Sequence, residues 1–223
     1  MKIIIGNRNY SSWSLRGWLA MRQSLLPFET DLRVMDSPDW VSGASKQDMP
    51  SGQVPVLWDH GTPIWDSMAI ILYLADKAGH DRFWPREPRE RALAYAMCAE
   101  MHSGFKALRS GCPMNLQYNF PDFVPAADVM DDVHRIEALW HQAISRFGSE
   151  TGEPWLFGRF GAADIMFAPV CTRINSYNLP VSADARAYVG RVLAHPFMAE
   201  WHALAMAEDY PFTRYEIPGG VRI

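Results

Sequence analysis

Four short clusters of residues in this 223-residue chain have the types and spacing to do chemistry. The first is Tyr10-Ser11-Ser12-Trp13-Ser14-Leu15-Arg16, which follows the β-branched run KIIIG and opens a helix-periodic segment. A serine hydroxyl at a helix start lies beside unpaired backbone N–H groups and the positive end of the helix dipole, so it can donate to an anion such as a thiolate. Serine is also a favoured N-cap, and on this cluster alone capping and anion stabilisation both stay open. The second cluster is Val54-Pro55. A cis bond there would expose the Val54 N–H and C=O to a peptide-like ligand in the manner of an added strand; a trans proline would merely begin a strand. The third is Asp66-Ser67, at the entry to SMAIILYLADKAG. Its hydroxyl and the helix N–H groups suit a ligand carboxylate and its aspartate a ligand ammonium, while either residue can serve as a plain N-cap. In the fourth, Asp164 opens the apolar helix of FGAADIMFAPV and is assigned a structural role at that helix end.

The elements that must position these clusters follow from the hydrophobic pattern. Leu15, Trp18, Leu19, Arg22 and Leu26 keep helical spacing until Pro27 stops the run, which makes a β-α unit with KIIIG. FETDLRV alternates as a half-buried strand, and Pro38, Gly43, Pro50 and Gly52 punctuate an irregular stretch. VPVLWD and TPIWD flank the turn-compatible pair His60-Gly61 as a hairpin, and Gly79 stops the helix that follows. This β-α-β-β-β-α order is that of a thioredoxin-like domain over residues 1–80. The charged, proline-containing segment around 81–87 reads as a linker, and 88–223 is expected to be all-helical, with helices near 88–110, 125–148, 163–178, 183–194 and 197–208. The tail after Pro211 is expected to be irregular and either packed back on the body or frayed.

Composition narrows the function classes. A formal charge of −4 supplies no broad cationic field, so nucleic acid is an unfavourable partner. No run approaches the roughly 20 apolar residues that span a bilayer, and the start is too short in apolar length for a signal peptide, so a cytoplasmic location is expected and no membrane partner. Cys98, Cys112 and Cys171 form no metal-ligand spacing and are expected to be reduced structural thiols. The scattered histidines include no HExxH, and no metal is expected.

Taken in order and spacing, these motifs resemble the soluble glutathione transferases from Met1 to about Glu208. SSWSLRGWLAM resembles the serine motif of zeta-class and related bacterial members, PSGQVPVL the segment ending in a cis Val-Pro, WDSMAI the acid-serine pair that binds the γ-glutamyl end, and GAADIMFAP the capping motif of the helical domain. The resemblance implies a thioredoxin-like α/β N-terminal domain followed by an all-α C-terminal domain, glutathione as cosubstrate, a small electrophile as second substrate, and a homodimer. It places Ser11 at the thiol as the activating hydroxyl, with Ser12 and Ser14 as rivals, and puts Val54, Pro55, Asp66 and Ser67 on the rest of glutathione. It leaves three activities open: conjugation, glutathione-dependent cis-trans isomerisation of the maleylacetoacetate type, and binding without catalysis. The chain departs from the family pattern at Gly161, where Ser or Thr is usual, at Met49, where asparagine is common, and at Ser176, where the zeta-class isomerases carry a carboxylate-binding arginine; Arg173 lies about one turn earlier.

The first long helix of the second domain is expected to face the site across the domain junction, a frequent place for pockets. His102, Ser103, Lys106 and Arg109 are its candidate wall residues, with His102, Lys106 and Arg109 the substrate-binding candidates. Lys106 and Arg109, three apart, would share a helix face and attract an anion, or else form a solvated basic face.

Overall fold

A computed structural model describes residues 1–148, 155–212, 215 and 217–223. The run Lys2–Ile5 forms strand β1, and its three isoleucines are wholly buried because they lie at the centre of a four-stranded sheet. Glu29–Leu32 (β2) pairs parallel to β1, while Val56–Asp59 (β3) pairs antiparallel to it and then with Thr62–Ile64 (β4), giving the order β2-β1-β3-β4. The β3-β4 turn is the expected His60-Gly61 pair, both at positive φ.

Helix α1 (Ser12–Ser24) and helix α3 (Ser67–Ala78) pack against each other beside this sheet, and the irregular stretch between β2 and β3 contains a short helix, α2 (Pro38–Ser42). Gly17 in α1 has a steric reason. A Cβ there would stand 2.9 Å from Pro55 Cγ, so only glycine lets α1 lie against the Val54-Pro55 turn, whose peptide bond is cis. Together these elements make the expected thioredoxin-like domain with its mixed sheet.

The remainder is helical: α4 (Pro88–Ser103), α5 (Lys106–Gly111), α6 (Ala127–Phe147), α7 (Ala162–Ser176), α8 (Ala183–Ala194) and α9 (Pro196–Met206). A short pair, β5 (Tyr118–Asn119) and β6 (Val221–Arg222), ties the chain end to the body. Helix α7 is buried along almost its whole length and packs on α1, α4 and α8, so one continuous core joins both halves. Asp164 acts as expected at the head of α7. Its Oδ2 accepts the Gly161 N–H at 2.9 Å, which closes a capping box although Gly161 has no side chain of its own.

One expected helix divides. The segment 88–110 breaks at Gly104, whose N–H bonds back to Glu100 O, and Phe105 takes a left-handed conformation before α5 begins. A Cβ at Gly104 would meet Glu100 O at 2.8 Å, so glycine marks the break rather than being tolerated inside a longer helix. Among the described residues no helix is long and apolar enough to cross a membrane.

Candidate functional site

The loop between β1 and α1 is held by side chains from distant parts of the chain. Asn7 Oδ1 accepts the Met35 N–H at 2.8 Å and its amide donates to Tyr210 O at 3.0 Å. Glu208 accepts the Arg8 N–H at 2.8 Å and Arg8 Nη1 at 2.9 Å, while Asn9 Oδ1 accepts the Leu116 and Gln117 N–H groups at 2.6 and 3.0 Å. Helix α1 therefore starts from an anchored point.

At that start Ser11 is the N-cap. Its Oγ accepts the Ser14 N–H at 3.2 Å and lies 2.8 Å from Ser14 Oγ, to which it donates; Ser14 Oγ also accepts the Gly6 N–H at 2.9 Å. Ser14 is wholly buried, whereas Ser11 and Ser12 each keep a small accessible area. Ser12 Oγ accepts from Arg173 Nη2 at 3.4 Å across the junction with α7.

Ser11 and Ser12 open onto a cleft of about 350 Å³. Its N-terminal side carries Tyr10, Trp13, Asp36, Trp40, Gln53 and Val54, and its helical side carries Arg109, Pro113, Met114 and Arg173, closed by Phe212 and Tyr215 from the tail. The tail thus packs back on the body here. Burial, reinforced by the charge of Arg109, pushes the Arg173 guanidinium down to about 10. Burial likewise lowers Arg109. Arg16, buried beneath Trp13, is pushed well below the usual range first by burial and then by Arg109 and Arg173.

Residues 10–77 match the family model of the glutathione S-transferase N-terminal domain. The whole chain is similar in fold to solved glutathione transferases. A glutathione transferase homolog from Burkholderia GL BGR1, with bound glutathione, aligns at TM-score 0.69 with 19% identity over 93% of this chain and 98% of that one. The theta class glutathione S-transferase of Xanthomonas axonopodis pv. citri, with glutathione bound, aligns at 0.63 with 22% identity over 92% and 98%. Glutathione transferase E6 of Drosophila melanogaster aligns at 0.66 with 19% identity over 92% of each chain. At these identities the likeness carries the glutathione transferase fold.

The matched segment contains Ser11, Ser12, Ser14, Val54, Pro55, Asp66 and Ser67. Of these, Ser11, Ser12 and Val54 line the cleft, and Val54 leaves its backbone N–H and C=O without a partner among the described residues. Ser14 sits behind Ser11, and Pro55 packs under Gly17. Asp66 and Ser67 stand at the head of α3 and do not line the cleft. There Asp66 Oδ1 caps Met68 N–H at 3.0 Å, its Oδ2 meets His102 Nε2 at 3.2 Å, and the buried Ser67 Oγ has no hydrogen-bond partner among the described residues. The four wall candidates separate, and Ser103 is exposed and off the cleft, its hydroxyl donating to Ala99 O at 3.0 Å. Lys106 is exposed and off the cleft, His102 faces Asp66 and the edge of Trp13, and only Arg109 reaches the lining. Lys106 and Arg109 are divided because Arg109 folds back to donate to the Gly104, Met101 and His102 carbonyls that the break after α4 leaves open.

Asn7, Arg8 and Asn9, which anchor the loop, and Tyr215 and Phe212, which close the cleft, were not singled out from the sequence. The only local sign was the polar triplet Asn-Arg-Asn between a buried strand and a helix, where backbone groups need side-chain partners.

Proposed function

We propose that the chain is a glutathione transferase in which residues 1–80 bind glutathione, residues 88–223 supply the wall for a small electrophile, and Ser11 favours the thiolate. The match over 10–77 and the glutathione bound in two of the similar structures support the cosubstrate. The orphaned Ser67 Oγ beside Asp66 suits the γ-glutamyl end, with the hydroxyl and α3 N–H groups for its carboxylate and Asp66 for its ammonium.

The Ser11–Ser14 hydroxyl pair carries the serine assignment. Either hydroxyl can donate, and among the described residues Ser11 Oγ is the one acceptor bonded to the buried Ser14 hydroxyl. A thiolate at Ser11 is a stronger acceptor than a hydroxyl. Its arrival would reverse the pair, so that Gly6 N–H supports Ser14, Ser14 donates to Ser11, and Ser11 donates to sulfur. The Trp13 backbone N–H, without a partner among the described residues, and the α1 dipole add to the same end. A thiol that ordinarily ionises near pH ~8.5 needs its pKa lowered by roughly two units, about 3 kcal/mol, to be mostly thiolate at neutral pH. The sulfur then attacks the electrophile and the thiol proton passes to solvent.

Ser11→Ala tests this directly. The bound-thiol pKa, read from thiolate absorbance, should return towards ~8.5, and kcat/KM should fall about 10²- to 10³-fold. A pKa that moves in Ser12→Ala but not in Ser11→Ala transfers the role to Ser12. Glutathione binding with no turnover, indifferent to either change, supports the binding-only reading, which the complete capping of Ser11 also favours. Turnover of a maleyl-type diacid with catalytic glutathione would make the enzyme the isomerase instead. The enzyme is proposed to act in the cytoplasm, where its three free, buried cysteines would stay reduced, and as a homodimer, for which exposed Trp65, Leu72 and Tyr95 supply apolar surface. Sedimentation tests the dimer.

A further inference from the structure

A second concavity lies away from the cleft, where α7 meets α9 and the end of the chain. Its volume is about 340 Å³, close to that of the cleft, and no described residue lines both. Helical spacing builds its walls. Thr172 and Ser176 stand four apart on one face of α7, and Met198 and Trp201 three apart on α9. Leu116, on the segment leading into β5, completes the apolar part. Two of these residues are held by the loop before α1: Trp201 Nε1 donates to Arg8 O at 3.2 Å and the Leu116 N–H to Asn9 Oδ1 at 2.6 Å. The apolar surface is therefore formed before any ligand arrives. Ile223, 52% exposed, flanks it with its own N–H bonded to Gln117 O at 3.0 Å.

The polar groups on the lining define what can enter. No Asp, Glu, Lys or Arg side chain lies among the described lining residues, so no fixed side-chain charge calls for an ionic occupant. Thr172 Oγ1 donates to Pro169 O at 2.8 Å, and Ser176 Oγ donates to Asn115 O at 3.3 Å. A hydroxyl carries one proton and two lone pairs, so with both protons committed to backbone carbonyls these two buried oxygens have only acceptor capacity left. At the exposed rim the side chains of Asn175 and His202 make no hydrogen bond among the described residues. We infer that this concavity is a second ligand site, for a small uncharged molecule that lays an apolar body against Trp201, Met198 and Leu116 and donates a hydroxyl proton to Thr172 or Ser176. A ligand without a donor would leave those oxygens covered and unpaired, which costs affinity. A short-chain alkylphenol has the size and polarity required.

Calorimetry on the full chain tests this with 4-propylphenol and its methyl ether, 4-propylanisole, which keeps the apolar body and loses the donor. The phenol should bind about tenfold more tightly than the ether. Thr172→Val and Ser176→Ala should each reduce that ratio, and together bring it close to one. Ala199 lines the concavity at an exposed position of α9, so Ala199→Phe should fill the opening and abolish binding of the phenol while leaving the urea midpoint of unfolding unchanged. Equal affinity for phenol and ether in the unmodified chain overturns the inference, as does an absence of binding by either. Phenol binding that is undiminished in Ala199→Phe also overturns it, since the ligand would then be seated elsewhere, the cleft included.

Discussion

Replacing Glu208 tests whether the C-terminal segment holds the serine loop in place. Glu208→Ala removes the acceptor of two contacts below 3 Å, from the Arg8 N–H and Arg8 Nη1, and of a longer one from the Asn9 N–H at 3.5 Å. Only 6% of the Glu208 side chain and 14% of the Arg8 side chain are exposed, so water cannot readily replace what is lost. Burial raises the Glu208 carboxyl above its ordinary range against the opposing pull of Arg8, so the pair retains part of its desolvation cost. That argues for the lower end of the 3–5 kcal/mol usual when one partner of a buried pair is removed, or about 3 kcal/mol. Glu208→Gln keeps the shape and one acceptor and should lose about 1–2 kcal/mol. With an m-value of about 2–3 kcal/mol/M for a chain of this size, the urea midpoint of Glu208→Ala should fall by about 1–1.5 M. The same variant should raise the KM for glutathione, because Arg8 and Asn9 lead directly into Ser11. A loss under about 1 kcal/mol, or one no larger than that of Glu208→Gln, would refute the reasoning.

Two further outcomes follow from buried groups near the junction. Ser14→Ala should cost about 2 kcal/mol in urea unfolding by stranding the Gly6 N–H, and should weaken thiol activation without altering any residue that lines the cleft. Asp164, raised by burial from its ordinary 3.8 to about 6, binds a proton in the folded chain over a range where the unfolded chain has released it. Stability should therefore fall as pH rises through that window, by up to about 3 kcal/mol, and Asp164→Asn should flatten this part of the pH profile of unfolding.

The local elements were legible because their signals are local. KIIIG, the His60-Gly61 turn and the stop at Gly79 each announce themselves within a few residues, and the starts of α1, α3 and α7 fall at Ser, Asp and Gly-Ala-Ala-Asp sequences whose capping chemistry is short-ranged. Gly104 was less legible, since α4 and α5 share enough apolar spacing to read as one helix and the break depends on a backbone approach to Glu100. The cleft was least legible. Arg173 reaches Ser12 across 161 positions, Glu208 reaches Arg8 across 200, and nothing in the periodicity of either segment encodes those meetings. Lys106 and Arg109 look equivalent in sequence, yet one is solvated and the other is drawn inward by open helix-end carbonyls.

Buried polar groups are met unequally across the fold. Asp164 is costly to bury, but its oxygens accept from Gly161, Leu156 and Tyr188, so its expense is met inside the helical core and secures α7. Among the described residues Ser67 Oγ and the Arg16 terminal nitrogens have no such partner. Charge differs too: Arg8 is matched by Glu208 where it anchors the loop, whereas among the described residues Arg109 and Arg173 meet no carboxylate where they face the cleft. Unsatisfied buried groups also occur in the frame, at the Trp84 and Trp140 indoles and at Arg8 Nε, so what distinguishes the cleft among the described residues is the missing counter-charge and not a missing hydrogen bond. Ser11 and Ser12 on the sheet side and Arg109 and Arg173 on the helical side line one cleft, which is where the proposed transferase reading needs its two substrates to meet.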